Sequence, residues 1–287
     1  MWFVLSLVCA FLTATSDALS KKALEKNNIY FISWIRLIFC IPFLLPLLIA
    51  TGLPKLDGYY FTSVILGLPI EILALLLYMK AIQISPLSLT IPFLALTPVF
   101  LIPTSYLMLG EKTGPSGIAG IMLIAGGAYV LNISHLKTGF FEPFRRITKD
   151  KGVMMMVCVA FLYSITSNFG KMGITHSSPM FFGCTYFMLQ PLLLIPFLKT
   201  NKSNIFNEIK SGLLILTLTG LVYTASIITH FAALSMVEVA YMISVKRSNL
   251  IFSVLYGAVF FGEKGLAQRM TGSIIMLTGI IILAFAK

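Results

Sequence analysis

The chain has 287 residues, a mean hydropathy of +0.94, 58% hydrophobic and 11% charged residues, and a net charge of +11. Soluble domains carry roughly 25% charged residues, so this composition excludes a water-facing globule and points to a bundle of membrane helices. The basic excess does not imply nucleic acid as a partner. Lys and Arg fall mostly in short segments between apolar runs, where the positive-inside rule and anionic headgroups account for them.

Ten apolar spans are predicted in chain order, at 2–20, 29–50, 60–82, 86–109, 116–134, 152–172, 180–198, 212–234, 238–261 and 266–286. Each is close to the ~20 residues that cross ~30 Å of hydrocarbon. The first run has no basic leader and no small-residue cleavage site followed by a polar chain, so it reads as a span and not a signal peptide. Cys9, Cys40, Cys158 and Cys184 all fall in apolar stretches without CxxC spacing, as buried structural cysteines do. The longest polar stretch, 135–151, divides the chain into 1–134 and 152–287.

The two parts repeat one another. Ala10-Phe11-Leu12 and Lys21 recur 150 positions later as Ala160-Phe161-Leu162 and Lys171. Gly110-Glu111-Lys112 recurs 152 positions later as Gly262-Glu263-Lys264, and at that offset Ala81, Gly120, Gly127 and Leu131 match Ala233, Gly272, Gly279 and Leu283. With five spans in each part, the second enters the membrane in the opposite sense. The expected fold is therefore all-α and integral to the membrane, with ten transmembrane helices as two inverted five-helix repeats around a central cavity. Gly110 and Gly262 are expected to end helices in the left-handed conformation, and Glu111 and Glu263 to sit at helix starts. The glycines seven residues apart suit close packing within the bundle or a homodimer contact.

Span four holds Pro86, Pro92, Pro98 and Pro103, which break helical hydrogen bonding. Span nine, its repeat partner, has no proline but carries Glu238, Lys246, Arg247 and Asn249. Lys246 lies eight residues into that span, ~12 Å deep at 1.5 Å per residue. Two adjacent cations at that depth require anions or water, supplied by a ligand or by internal pairing with Glu71, Glu238 or Asp17. Asp17, Glu71 and Glu238 are candidate proton carriers, and His230 a further solute or proton contact. Tyr241, Asn249, Asn168 and Gln190 can hydrogen-bond a solute or a neighbouring helix. Arg36 and Lys80 lie toward span ends, where they anchor at headgroups.

The doubled pattern of Ala, polar break, apolar span and Gly-Glu-Lys, running in its first copy from Ala81 through Ser85 and Thr97-Pro98 to Gly110-Glu111, resembles the drug/metabolite transporter superfamily, in particular its EamA-type members. Val245 to Ser253 resembles the Lys-Arg segment of the triose-phosphate and sugar-phosphate translocator branch. That resemblance implies cations that hold a substrate phosphate. The branch also has a Lys in the first half, where this chain has Leu94. The resemblance implies transport of a small polar metabolite by alternating access, with an anionic substrate, or proton-coupled export of amino acids or drug-like compounds. Loop charges place the linker in the cytoplasm and both termini outside; the resemblance implies cytoplasmic termini. The expected setting is a plasma membrane, as monomer or homodimer, with membrane lipid around it. No cofactor is expected. An intramembrane enzyme is the remote alternative, since His135, His176 and His230 form no HExxH and no acidic metal motif is present.

Overall fold

A computed structural model describes residues 1–24, 28–85, 90–133, 150–198, 202–261 and 266–285. Pro86, residue 134, residues 135–149 of the linker, and the second Gly-Glu-Lys copy lie outside the described residues.

Among the described residues the regular structure is entirely helical. The helices are α1 (Trp2–Leu24), α2 (Ile29–Ile38), α3 (Ile41–Thr51), α4 (Gly58–Ile84), α5 (Leu96–Leu109), α6 (Pro115–Ile133), α7 (Lys151–Thr175), α8 (Pro179–Leu194), α9 (Lys202–Leu234), α10 (Val239–Lys246), α11 (Asn249–Phe261) and α12 (Leu266–Phe285). A 3₁₀ turn at Ile91–Ala95 leads into α5. Among the described residues, six stretches are long and apolar enough to cross a membrane: Trp2–Leu24, Ile29–Thr51, Gly58–Ile84, Lys151–Thr175, Pro179–Phe197 and Leu213–Leu234. Shorter apolar helices cover Phe93–Leu109, Pro115–Val130 and Thr271–Phe285.

Polar residues between the apolar runs close the helix ends, as a lipid setting demands. Asn28, Asp57, Asp150 and Ser178 accept from the first free amides of α2, α4, α7 and α8. Gly110 ends α5 at φ +70°, with its own N–H and that of Glu111 reaching back to Tyr106 and Ser105 carbonyls. Glu111 does not serve the helix that follows it. Its Oε2 accepts from Val239 N at 2.9 Å and so caps α10, in the other half. Beside it, Lys171 Nζ donates to the Leu234 and Val237 carbonyls at 2.8 Å each, closing α9.

Several contacts occur twice at repeat-matched positions. Phe11 meets Phe252 edge-on at 5.4 Å, and Phe161 meets Phe100 in the same way at 5.6 Å. Phe11 and Phe161 are equally exposed, 47% and 46%. Helix α1 packs on α9, and α7 on α4. Helices α6 and α12 pack against each other in antiparallel fashion. A Cβ on Gly120 would meet Gly279 O at 3.0 Å, and one on Gly127 would meet Gly272 O at 2.7 Å. The glycine stripe is thus engaged inside the bundle.

Two predicted spans are each split into two α-helices. Span two breaks at Phe39-Cys40, just before Pro42, into α2 and α3. Span nine breaks at Arg247-Ser248 into α10 and α11, without a proline. There the backbone tightens into 3₁₀-type bonds, with Arg247 N donating to Ser244 O and Ser248 N to Val245 O. Subtracting the repeat offset of 152 places this break at residues 95 and 96, where the Ile91–Ala95 turn gives way to α5. Both halves are broken at the same point. Cys158 departs from its expected burial: it is exposed on α7, while Cys9, Cys40 and Cys184 are buried.

Candidate functional site

A cavity of about 120 Å³ lies among the helices, walled by α1, α2, α4, α7, α8, α9 and the α10–α11 break. Of the sequence candidates, Lys246, Arg247, Asn249, His230, Glu71 and Asp17 all line it. Leu94, the repeat partner of Lys246, lines it too, so one face of the break is charged and its counterpart is apolar.

Lys246 Nζ lies 3.2 Å from His230 Nδ1. An ammonium can only donate, so Nδ1 is the accepting, unprotonated nitrogen. Arg247 is 5% exposed and donates from Nη2 to Thr97 Oγ1 at 2.9 Å, reaching across to the matched break in the first half. Its Nε has no hydrogen-bond partner among the described residues. Asn249 is 1% exposed, and neither atom of its amide has a partner among the described residues. Glu71 lies beside Thr166 and within electrostatic range of Lys246. Among the described residues, the ion pairs within 4.0 Å are Arg36–Asp17 and His176–Asp57. Neither Lys246 nor Arg247 belongs to one.

Sequence reasoning missed Arg36. It is no headgroup anchor: it is 4% exposed, lines the cavity, lies 3.4 Å from Asp17 Oδ1 and stacks over the Tyr223 ring at 3.6 Å. Its seven-residue distance from the start of span two was the available signal, close to the eight residues by which Lys246 lies inside span nine. Tyr78 OH donates to Asp17 Oδ2 at 2.7 Å. Tyr78, Tyr163, Phe182, Tyr186 and Tyr223 supply an aromatic lining.

Four candidates stand elsewhere. Tyr241 faces the α5–α6 connection, where its hydroxyl accepts from Gly114 N at 3.2 Å and its ring packs on Gly117. Glu238 is exposed at the start of α10, outside the bundle interior, because it ends the turn before that helix and does not lie within it. Asn168 and Gln190 are buried away from the cavity wall, Asn168 against Met108 Sδ at 3.6 Å.

A helical bundle with irregular backbone and charged groups collected at its centre is a solute-translocating architecture. The EamA-like transporter family matches residues 1–133 and 150–285, both halves, and the chain belongs to that family. It is accordingly a multi-pass integral membrane protein of a family of small-molecule transporters, not enzymes. No curated protein matches it. One crystal structure, whose description names no function, superposes with a TM-score of 0.68 at 13% identity over 98% of this chain and 95% of that chain. That similarity supports the fold alone.

Proposed function

We propose that the protein is a secondary carrier of a small polar metabolite bearing a phosphate or carboxylate group, working by alternating access. The observation that carries this reading is the pair Lys246-Arg247 at a helix break on the cavity wall, without a carboxylate within 4.0 Å among the described residues. Two desolvated cations need counter-charge, and a solute anion supplies it. Arg247 offers the planar fork, Lys246 a point charge, and the unpartnered Asn249 amide a further contact. His230 orients Lys246. Asp17 is the group that carries a proton in this reading, with Glu71 on the same cavity wall. The twice-occurring contacts and matched breaks support ten spans as two inverted repeats, 1–134 and 152–287, joined by 135–151. The engaged glycine stripe favours a monomer, in a plasma membrane.

A second reading, proton-coupled export of amino acids or drug-like compounds, is favoured by Glu71 and the aromatic lining in the same cavity. Uptake into proteoliposomes against a panel of phosphorylated, carboxylate and cationic solutes separates the two readings. On the anion reading, Arg247→Lys lowers transport by at least about tenfold, the size of one lost charge-assisted contact. Lys246→Ala and Arg247→Ala lose solute binding but remain folded. Unchanged binding together with a large fall in melting temperature would make the pair structural and end the anion reading.

A further inference from the structure

The cavity holds three cations, Arg36, Lys246 and Arg247, and two acids, Asp17 and Glu71. Of the cations, Arg36 has a carboxylate within 4.0 Å. That pair is unusual in three ways. It is a single 3.4 Å contact from one terminal nitrogen and not the two-point fork that arginine and carboxylate favour. Arg36 Nε has no hydrogen-bond partner among the described residues. And the guanidinium already rests on the Tyr223 ring at 3.6 Å, an interaction that persists without the carboxylate. Arg36 is therefore held, but loosely.

Asp17 is placed between the two groups of cations. Its Oδ1 faces Arg36, its Oδ2 is taken by the Tyr78 hydroxyl, and both Lys246 and Arg247 act on it electrostatically. A carboxylate in that position occupies the electrostatic place of a solute anion. From this geometry we infer that Asp17 is the carrier's own counter-anion and its proton-binding site. A proton from bulk water, taken up at Oδ1, breaks the contact with Arg36 and frees it to join Lys246 and Arg247 on the solute anion. Proton and anion then bind together, and one proton travels with each anion. Solute arriving without the proton would crowd a second negative charge against Asp17. This rests on the reading of Lys246 and Arg247 as the anion site.

Other titratable groups face the same space. Glu71 and Tyr78 come from α4, Tyr163 from α7, Tyr186 from α8, Tyr223 and His230 from α9, Lys246 from the end of α10 and Arg247 from the break that follows it. From α11, Tyr256 bonds Thr15 on another side of α1, at 2.7 Å. Glu71 and His230 are the two whose titration would imitate that of Asp17.

The test uses the full chain in lipid nanodiscs, with sulfate as probe because its charge is constant between pH 5.5 and 7.5. By linkage, a proton that tightens anion binding is itself bound more tightly by the anion-loaded protein. The wild type is expected to bind sulfate about tenfold more tightly at pH 5.5 than at pH 7.5, and to take up protons from weakly buffered solution on adding sulfate. Asp17→Asn is expected to bind at pH 7.5 as the wild type does at pH 5.5, without proton uptake. Arg36→Gln, which removes the buried partner and so guards against misfolding of the first variant, is expected to bind weakly at both pH values. Glu71→Gln and His230→Asn retain the pH dependence. The inference falls if Asp17→Asn binds more weakly than wild type, if it keeps the proton uptake, if Glu71→Gln or His230→Asn abolishes that uptake, or if neither wild type nor Asp17→Asn binds sulfate. Sulfate binding that survives Arg247→Ala instead overturns the anion site itself. Loss in Arg247→Ala with wild-type behaviour in Asp17→Asn leaves that site standing and removes the role of Asp17.

Discussion

Glu111 closes a helix that belongs to the other half of the chain. Its carboxylate is partly buried, and burial pushes its pKa above the ordinary carboxylate value. The Val239 amide and nearby Lys171 pull it down by less, and Glu238 pushes it further up. A carboxyl whose folded value is raised stabilises the fold below its ordinary value, and that contribution is lost as pH rises through the folded value. Two substitutions should therefore diverge. Glu111→Ala removes the cap and is expected to cost about 1 kcal/mol. Glu111→Gln keeps an acceptor for Val239 without the buried charge, so its melting temperature should be no lower than wild type at pH 7 and should vary less with pH between 4 and 8. Thermal melts across that range measure both. The cap itself was half legible. Glycine at position 110 followed by an acid told of a helix end and a helix start, but the start it serves lies 128 positions on, and spacing along a chain carries no sign of that.

At the scale of helices, the α6–α12 contact depends on backbone meeting backbone. A methyl group on Gly127 would fall 2.6 Å from Met276 N, which cannot yield as a flexible side chain can. Gly127→Ala is expected to cost ~1–3 kcal/mol, whereas at Gly126, with nothing within 4 Å, the same change should be neutral or stabilising by ~0.5–1 kcal/mol. Paired melting curves in one detergent test the contrast. The glycine repeat was legible because its period survives in sequence. The break at Arg247 was not, since span nine lacks the proline that announces its counterpart. Its backbone tightens where two cations reach to different walls, one to His230 and one to Thr97, and those walls come from other helices. Arg36 escaped for a similar reason: nothing in its own span reveals that Asp17 and Tyr223 stand opposite.

At the scale of the molecule, α4 and α7 are tied at both ends. Ser85 Oγ donates to Asp150 at 3.1 Å on one side, and the Asp57 carboxylate meets His176 Nδ1 at 2.6 Å on the other. Burial pushes the Asp57 carboxyl up, but the Tyr60 amide, His176 and the Tyr59 amide together outweigh it and hold the carboxyl below its ordinary value. Which of these ends faces the cytoplasm follows, on the count of loop charges, from the basic linker. A cysteine introduced at Lys149 should then resist an impermeant thiol reagent in intact cells and react once the membrane is opened. Ready labelling from outside would reverse the assignment.

The mismatch between Leu94 and Lys246 at equivalent places has a further meaning. In the proposed cycle of two inverted repeats, identical halves would exchange roles between an inward-open and an outward-open state of the same energy. Charge on one break and hydrocarbon on the other removes that degeneracy. If the protein works by the proposed alternating access, the empty carrier rests preferentially with one mouth open, a built-in polarity that exists before any gradient is applied.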